Sequence, residues 1–207
     1  MKCPNEILGY TNAITHDILY DGPKCIYIPP YKTTSTEQDE INQEILRMLD
    51  QDLIEASKSG FNLPILVVRK KDGSIRICTD SRAIGKHITK LRLPLPSINE
   101  LIRKLGPRKV YCTLDLKSAF HQILLGKDSS RPYTAFRTSL GCFQMKRMAF
   151  GLPNAPSSMS ALISMVVSGL PGTVAYLDDI LVGGNDIEEC RNNLEVVFQR
   201  LLRRGLL

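Results

Sequence analysis

No run in this 207-residue chain approaches the roughly 20 apolar residues that cross a bilayer, and its first ten residues, MKCPNEILGY, lack the apolar centre of a secretion signal. These absences point to an intracellular chain outside the membrane. The six cysteines, at 3, 25, 78, 112, 142 and 190, form no CxxC pair and no His/Cys spacing of the zinc kind. A metal finger and a disulfide framework are therefore excluded, which leaves reduced cysteines that are mostly core residues. There is no internal repeat and no low-complexity segment. What remains is a balance of 43% apolar and 23% charged residues, enough to bury a core in one large domain or two small ones.

The formal charge of +6 is concentrated in one stretch. Residues 69 to 109 carry twelve Lys or Arg against Asp72, Asp80 and Glu100. Such density suits a phosphate backbone, where each neutralised phosphate releases counterions, and it also suits a solvated basic face. Charge alone leaves both open.

Residues 1 to 34 hold four prolines and no sustained period, and read as an extended arm. Ser35 with Gln38 suggests a capping box, followed by Ile41, Ile45, Met48 and Leu49 on one helical face. PILVVRK (64 to 70) reads as a buried strand, Lys71-Asp72-Gly73-Ser74 as a tight turn and IRICTD (75 to 80) as the partner strand. Ser97-x-x-Glu100 opens a short helix with Ile98, Leu101, Ile102 and Leu105 expected inward, ended by Gly106-Pro107. KVYCTLD (109 to 115) is a strand ending on Asp115. An insertion with strand-like YTAFRT and CFQMKRM follows, then a helix from Asn154-Ala-Pro156 to Leu170, a hairpin over 173 to 184, and a last helix capped by Asp186. In that helix Ile187, Cys190, Leu194, Val197 and Leu201 are expected inward. The order strand, helix, strand, strand, helix is that of a ferredoxin-like β-α-β-β-α-β unit with its last strand missing, within an α+β chain.

The hairpin TVAYLDDILVGG puts Asp178 and Asp179 side by side in an apolar, β-branched run. An ionised carboxylate out of water is costly, so the pair implies either an exposed turn, for which Asp is a common residue, or a bound cation. In the ferredoxin-like order the first strand neighbours the hairpin, so Asp115 can approach the same point. Three like charges there must raise a pKa or bind cations, and Mg²⁺ is the fitting ion because it takes oxygen ligands and shares them with substrate phosphates.

VVRKKDGSIRICTDSRAIGK, LDLKSAFHQI, TAFRTSLGCFQMKRMAFGLPNAP and YLDDILVGG together resemble the ordered motifs of reverse transcriptases, most closely those of gypsy-type LTR retrotransposon polyproteins. YxDD alone is a weak pattern, but four motifs in order are specific, and the resemblance runs from about residue 30 to the end. It implies a polymerase right hand with a ferredoxin-like palm. The expected parts are an arm at 1–34, fingers at 35–107, palm at 108–124, a fingers insertion at 125–153 and palm again at 154–207, with thumb and RNase H absent. The implied activity is template-directed addition of dNTPs to a primer 3′-hydroxyl on RNA or DNA, using two Mg²⁺ ions or Mn²⁺ in their place. The implied setting is a polyprotein with protease, RNase H and integrase, in the cytoplasm, a virus-like particle or the nucleus.

Position by position, the resemblance makes Asp115, Asp178 and Asp179 catalytic metal ligands, with the Leu116 backbone carbonyl beside them. Lys70 and Arg76 match residues that hold the triphosphate, and the backbone of Leu116, Lys117, Ser118 and Ala119 is expected to receive it. Phe120 matches the aromatic gate against a ribose 2′-hydroxyl. Phe150 and Gly151 line the nucleotide and template pocket. Asp80, Arg82, Asn154, Pro156 and Tyr176 fall on the template and primer side, with Tyr176 expected beneath the carboxylate turn. His121 and Gln122 admit more than one reading, His121 more readily as a structural residue than as a base. Ser81, Gly85, Ala149 and Met159-Ser160 depart from the family's usual residues, which keeps open an alternative, a catalytically inactive nucleic-acid-binding remnant of a retroelement.

Overall fold

A computed structural model describes residues 8–91 and 97–206. Cys3 and Arg92 lie outside them. The chain runs β1 (Thr11–His16), α1 (Ser35–Asp50), β2 (Ile54–Ala56), β3 (Ile65–Arg69), β4 (Ile75–Thr79), α2 (Arg82–Gly85) and α3 (Ile98–Leu105). It continues with β5 (Val110–Asp115), β6 (Ile123–Leu125), β7 (Phe136–Thr138), β8 (Gly141–Met145), α4 (Ala155–Val167), β9 (Thr173–Tyr176), β10 (Asp179–Gly184) and α5 (Ile187–Arg203). Among the described residues no helix is long and apolar enough to cross a membrane. The residues fall into two compact units. One gathers Thr15–Lys90 and Leu124–Ala155; the other gathers Gly9–Ile14, Leu91–Ile123 and Pro156–Leu207. This division puts α3 with β5, whereas the sequence places residues 98–105 with the segment before them. β1 falls within the N-terminal arm.

In the first unit the β3–β4 hairpin pairs Ile65 with Thr79 and Arg69 with Ile75. Its turn needs Gly73, whose φ of 81° lies in the left-handed region, and the Asp72 carboxylate accepts from the Ser74 amide at 3.0 Å and hydroxyl at 2.6 Å. Those bonds hold the Asp72 carboxyl below its ordinary pKa. β4 turns Ile75, Ile77 and Thr79 inward in strict alternation. β3 is not the buried strand the sequence suggests: Leu66 and Val68 are 41% and 49% exposed, because the described residues place only β4 beside it. α1 begins one residue earlier than its sequence signal, with Thr34 as N-cap and a reciprocal box to Glu37 instead of Ser35 with Gln38. The Thr34 bonds lower the Glu37 pKa. Its core face is Ile41, Ile45 and Met48, and Leu49 turns outward. A second sheet, β2-β8-β7, carries the Glu55–Arg131 ion pair at 3.1 Å, with Gln144 also donating to Glu55.

The second unit is built on the sheet β5-β10-β9, all antiparallel, with α5 packed against β10 and β5 and α3 against β9. Ile180 and Val182 of β10, Met159, Leu162, Ile163 and Val166 of α4, and Val197 of α5 are fully buried. The first carboxylate strand thus lies beside the hairpin, as the ferredoxin-like order requires. Arg200 closes the end of α4 by donating to the Val166 carbonyl at 2.9 Å and to the Ser168 carbonyl at 2.5 Å. Three expectations for inward-facing residues are corrected. Ile98 and Ile102 of α3 are 64% and 61% exposed, and Ile187, in the first turn of α5, is 78% exposed. In each case the helix is short of neighbours on that side, so an apolar residue at helical spacing is left uncovered. The cysteines also diverge, since among the described residues only Cys190 is buried and Cys25 is exposed.

Candidate active site

In the second unit the acids are placed by backbone register. β5 and β10 pair Asp115 directly with Asp179, and β9 and β10 pair Tyr176 with Asp179. Directly opposed residues share a face of an antiparallel sheet, so Asp115 and Asp179 project to the same side. Leu177 and Asp178 form the two-residue connection. Leu177 has φ of 56°, at the first central position where hairpin turns of this length usually place Gly. A branched apolar residue there is strained by about 1–2 kcal/mol. Asp115 and Asp179 are exposed and Asp178 is half-buried, which answers the solvation problem in part: these charges keep contact with water. Among the described residues none of the three carboxylates has a hydrogen-bond or ion-pair partner. Tyr176 is not packed beneath the turn. It is 40% exposed and, with Asp179, lines one end of an open cavity of about 460 Å³ whose walls include Ile98, Leu101, Ile102 and Leu105.

The chain after Asp115 turns sharply. Ser118 takes φ of 50°, and Ala119–Gln122 form a single 3-10 turn closed by the His121 amide on the Ser118 carbonyl at 2.9 Å. Gln122 is fully buried, and its Nε2 donates to the Lys117 carbonyl at 2.8 Å. A buried amide side chain thereby fixes the loop whose backbone follows Asp115. Leu116 and Ala119 are buried, while Lys117 and Ser118 are exposed and Phe120 is half-buried. Nothing around Gln122, which follows His121 in sequence, signalled its contact with Lys117.

The first unit gathers a second group. Arg76, on β4, places its guanidinium carbon 4.1 Å from the centre of the Phe150 ring, a cation–π contact. Gly151 has φ of 87°, and a β-carbon there would stand 3.3 Å from the Thr79 carbonyl oxygen, so both conformation and space call for glycine. The Ser81 hydroxyl donates to the Gly151 carbonyl, which ties this loop to the end of β4. Asp80 is 7% exposed on its side chain and takes a two-pronged contact from Arg82, Nε to Oδ1 at 2.8 Å and Nη2 to Oδ2 at 2.6 Å. The Tyr31 hydroxyl adds a bond to Asp80 Oδ2 at 2.7 Å and accepts from Arg82 at 3.3 Å. The Arg82 bonds, with that of Tyr31, hold the Asp80 carboxyl far below the usual carboxylate range and push the Arg82 guanidinium up. Lys70 sits exposed beside the hairpin turn, its amide on the Ser74 carbonyl at 2.8 Å.

Asn154 takes φ of 63° and donates to the Thr89 carbonyl at 2.8 Å, and Pro156 is exposed in the first turn of α4. Tyr31 was not legible as a site residue, because nothing near it in sequence marks a partner 49 positions away. Of the departures from the family's usual residues, Met159 is fully buried, Ala149 is 1% exposed, and Ser81 makes the bond to Gly151.

Comparison with known proteins identifies the family and the fold. The reverse transcriptase (RNA-dependent DNA polymerase) family profile matches residues 68–207. The retrovirus-related Pol polyprotein from transposon 297 of Drosophila melanogaster is 34% identical over 208 residues, covering 97% of this chain and 20% of that polyprotein. The Pol polyprotein from transposon gypsy of the same organism is 30% identical, covering 96% and 20%. The chain thus spans about a fifth of the length of these relatives. Among solved structures, the foamy viral protease-reverse transcriptase in complex with dsDNA superposes with a TM-score of 0.87 at 26% identity, covering 100% of this chain and 43% of that one. The same viral protein in complex with RNA/DNA hybrid gives 0.85 at 26%, covering 97% and 27%. The likeness carries the α+β polymerase fold that the motif order implied. With its opposed aspartates, its basic hairpin and this match over most of its length, the chain belongs to the reverse transcriptase family.

Proposed function

We propose that this chain is the fingers and palm part of an RNA-directed DNA polymerase, which adds deoxynucleotides to a primer 3′-hydroxyl on an RNA or DNA template. The observation that carries the reading is the pairing of Asp115 with Asp179 across β5 and β10, with Asp178 in the adjoining turn. Among the described residues no group of three or more His, Cys, Asp or Glu could hold a metal by itself. Two opposed, exposed, oxygen-only donors still fit Mg²⁺, which is typically held by one or two carboxylates together with substrate phosphates. When bound, a pair of such ions supplies activation of the primer hydroxyl and charge compensation for the departing pyrophosphate.

The chain's own residues supply positioning. Asp115, Asp178 and Asp179, with the Leu116 carbonyl, hold the charge. The backbone of 116–119, fixed by Gln122, receives the triphosphate, and Phe120 crowds the 2′ position of the sugar. In the other unit Lys70 gives a flexible point charge and Arg76 a planar fork for the triphosphate. Phe150 and Gly151 border the nucleotide, while Asp80, Arg82, Asn154, Pro156 and Tyr176 serve template and primer. The chain works inside a longer polyprotein within the cell.

Primer extension on poly(rA)/oligo(dT) with Mg²⁺ or Mn²⁺ tests this, comparing the chain with Asp178→Asn. The expected result is extension by the parent and its loss in the variant. Equal extension by both sinks the metal assignment. Binding of template-primer without extension by the parent would favour the inactive remnant.

A further inference from the structure

Gln122 is fully buried in the turn after Asp115, where an apolar side chain of the same size would fill the space with no polar group to satisfy. Its Nε2 donates to the Lys117 carbonyl at 2.8 Å. In a planar trans peptide the C=O and N–H point in opposite directions, so drawing this carbonyl inward directs the Ser118 N–H outward, on the side where Lys117 and Ser118 are exposed. Ser118 takes φ of 50° and ψ of 41°, in the left-handed region, and Ala119 opens the right-handed 3-10 turn behind it. A turn of this kind gathers successive backbone N–H groups into a concave nest for an anion. The same turn carries Phe120, half-buried, and is closed by the His121 amide on the Ser118 carbonyl at 2.9 Å.

The direction of one amide and the placement of one aromatic ring thus depend on one buried side chain. A left-handed serine is strained and relaxes unless its surroundings hold it. Gln122 holds it from inside. When the Lys117 carbonyl loses this buried donor, the peptide between residues 117 and 118 rotates until the carbonyl meets water, because a buried acceptor without a donor is costly. That rotation turns the Ser118 N–H off the exposed side and shifts the turn that carries Phe120.

We propose that Gln122 is a positioning residue for nucleotide selection, which sets the Ser118 amide toward the triphosphate and the Phe120 ring against the 2′ position of the sugar. This rests on the polymerase reading and deepens it: that reading makes Phe120 the barrier to a ribonucleotide, and Gln122 keeps the barrier at its distance. Gln122 acts only through the Lys117 peptide. Deoxy- and ribonucleoside triphosphates differ by one hydroxyl, so a small displacement of the ring is enough to admit the wrong sugar.

The test is extension of oligo(dT) on poly(rA) by the 207-residue chain in Mg²⁺, with dTTP or UTP as the only nucleotide. The parent is expected to prefer dTTP. In Gln122→Met, which nearly keeps the volume and loses the donor, the KM for dTTP rises roughly tenfold and the preference for dTTP over UTP falls roughly tenfold. Its kcat for dTTP and its Kd for template-primer stay near the parent's. Ser118→Gly, at an exposed position, frees the same peptide without touching the core and moves KM and preference the same way by less. A folded Gln122→Met with the parent's KM and preference overturns the proposal. So does a loss of kcat and template-primer affinity with the preference intact, the mark of an amide that only supports the fold. If Gln122→Met does not fold, Ser118→Gly decides, and a preference there equal to the parent's overturns the proposal. Extension by the parent with no preference between dTTP and UTP removes the sugar barrier and the part of Gln122 in it, and leaves the polymerase reading standing. Absence of extension by the parent removes the polymerase reading and the positioning role with it.

Discussion

The two units hold their charges in opposite ways. In the unit of β5, β9 and β10, three acids are delivered by strand register and a two-residue turn, and among the described residues their carboxylates have no side-chain partner. In the unit of β3 and β4, three arginines are braced: Arg82 by Asp80 and Tyr31, Arg76 by the Phe150 ring, and Arg69 by Glu40 at 2.8 Å. The first arrangement leaves carboxylate oxygens open to solvent beside one another. The second sets side-chain geometry in advance, so that a polyanion meets cations already held in place. Substitutions at the acids should therefore change chemistry with little effect on folding, whereas substitutions around β4 should change binding and stability together.

The widest separation is expected at Asp178. On the proposed metal assignment, Asp178→Asn removes one oxygen ligand and with it several kcal/mol of charge stabilisation, so extension should fall by on the order of 10³-fold or more. Because the residue is only half-buried, its circular dichroism and melting should match the parent. A variant that loses activity only by unfolding would erase the contrast. A smaller effect is expected at the hairpin. Lys70→Gln and Arg76→Gln should each raise the KM for dNTP roughly tenfold, as loss of a charge-assisted contact to phosphate implies. The Kd for template-primer should move less, and equal losses in both would make these residues general backbone contacts.

Asp80 gives a pH signature. Its carboxyl is held low chiefly by the Arg82 hydrogen bonds, against the opposing effect of burial, with Tyr31 adding to the lowering. A carboxyl depressed in the folded state contributes stability that is fully present above its unfolded pKa, about 3.9, and is lost as pH falls through the lower folded value. Asp80→Asn should melt roughly 2–4 °C lower at pH 7 and show a flatter decline below pH 4 than the parent. Melting curves from pH 2 to 7 measure it, and parallel curves would mean that the network carries no linked stability.

The same contrast explains what was legible in the sequence. Asp115 and the LDD hairpin could be paired without coordinates because strand order and alternation are local rules that the topology carries across the sheet. The Ser97 box with Glu100 and the Gly73 turn were legible for the same reason. Tyr31 was not, since its bond to Asp80 depends on where the arm is laid and no periodicity encodes that. Nor was the exposure of Ile98, Ile102 and Ile187, because helical spacing marks a face as apolar but does not supply the neighbour that covers it. The exposure of β3 follows the same logic, an apolar strand whose pairing partner lies on one side only.

The finest test of the register-built site is at Leu177. Its φ of 56° carries about 1–2 kcal/mol of strain that glycine does not feel, while glycine costs roughly 0.5–1 kcal/mol in chain entropy. The difference leaves Leu177→Gly more stable by up to about 1.5 kcal/mol, measurable by urea unfolding. If that strain serves to aim Asp178, the same change should lower extension even as it raises stability, because a glycine turn no longer holds one orientation. Stability and activity rising together would mean that register alone places the acids and that the strained leucine is not part of the site.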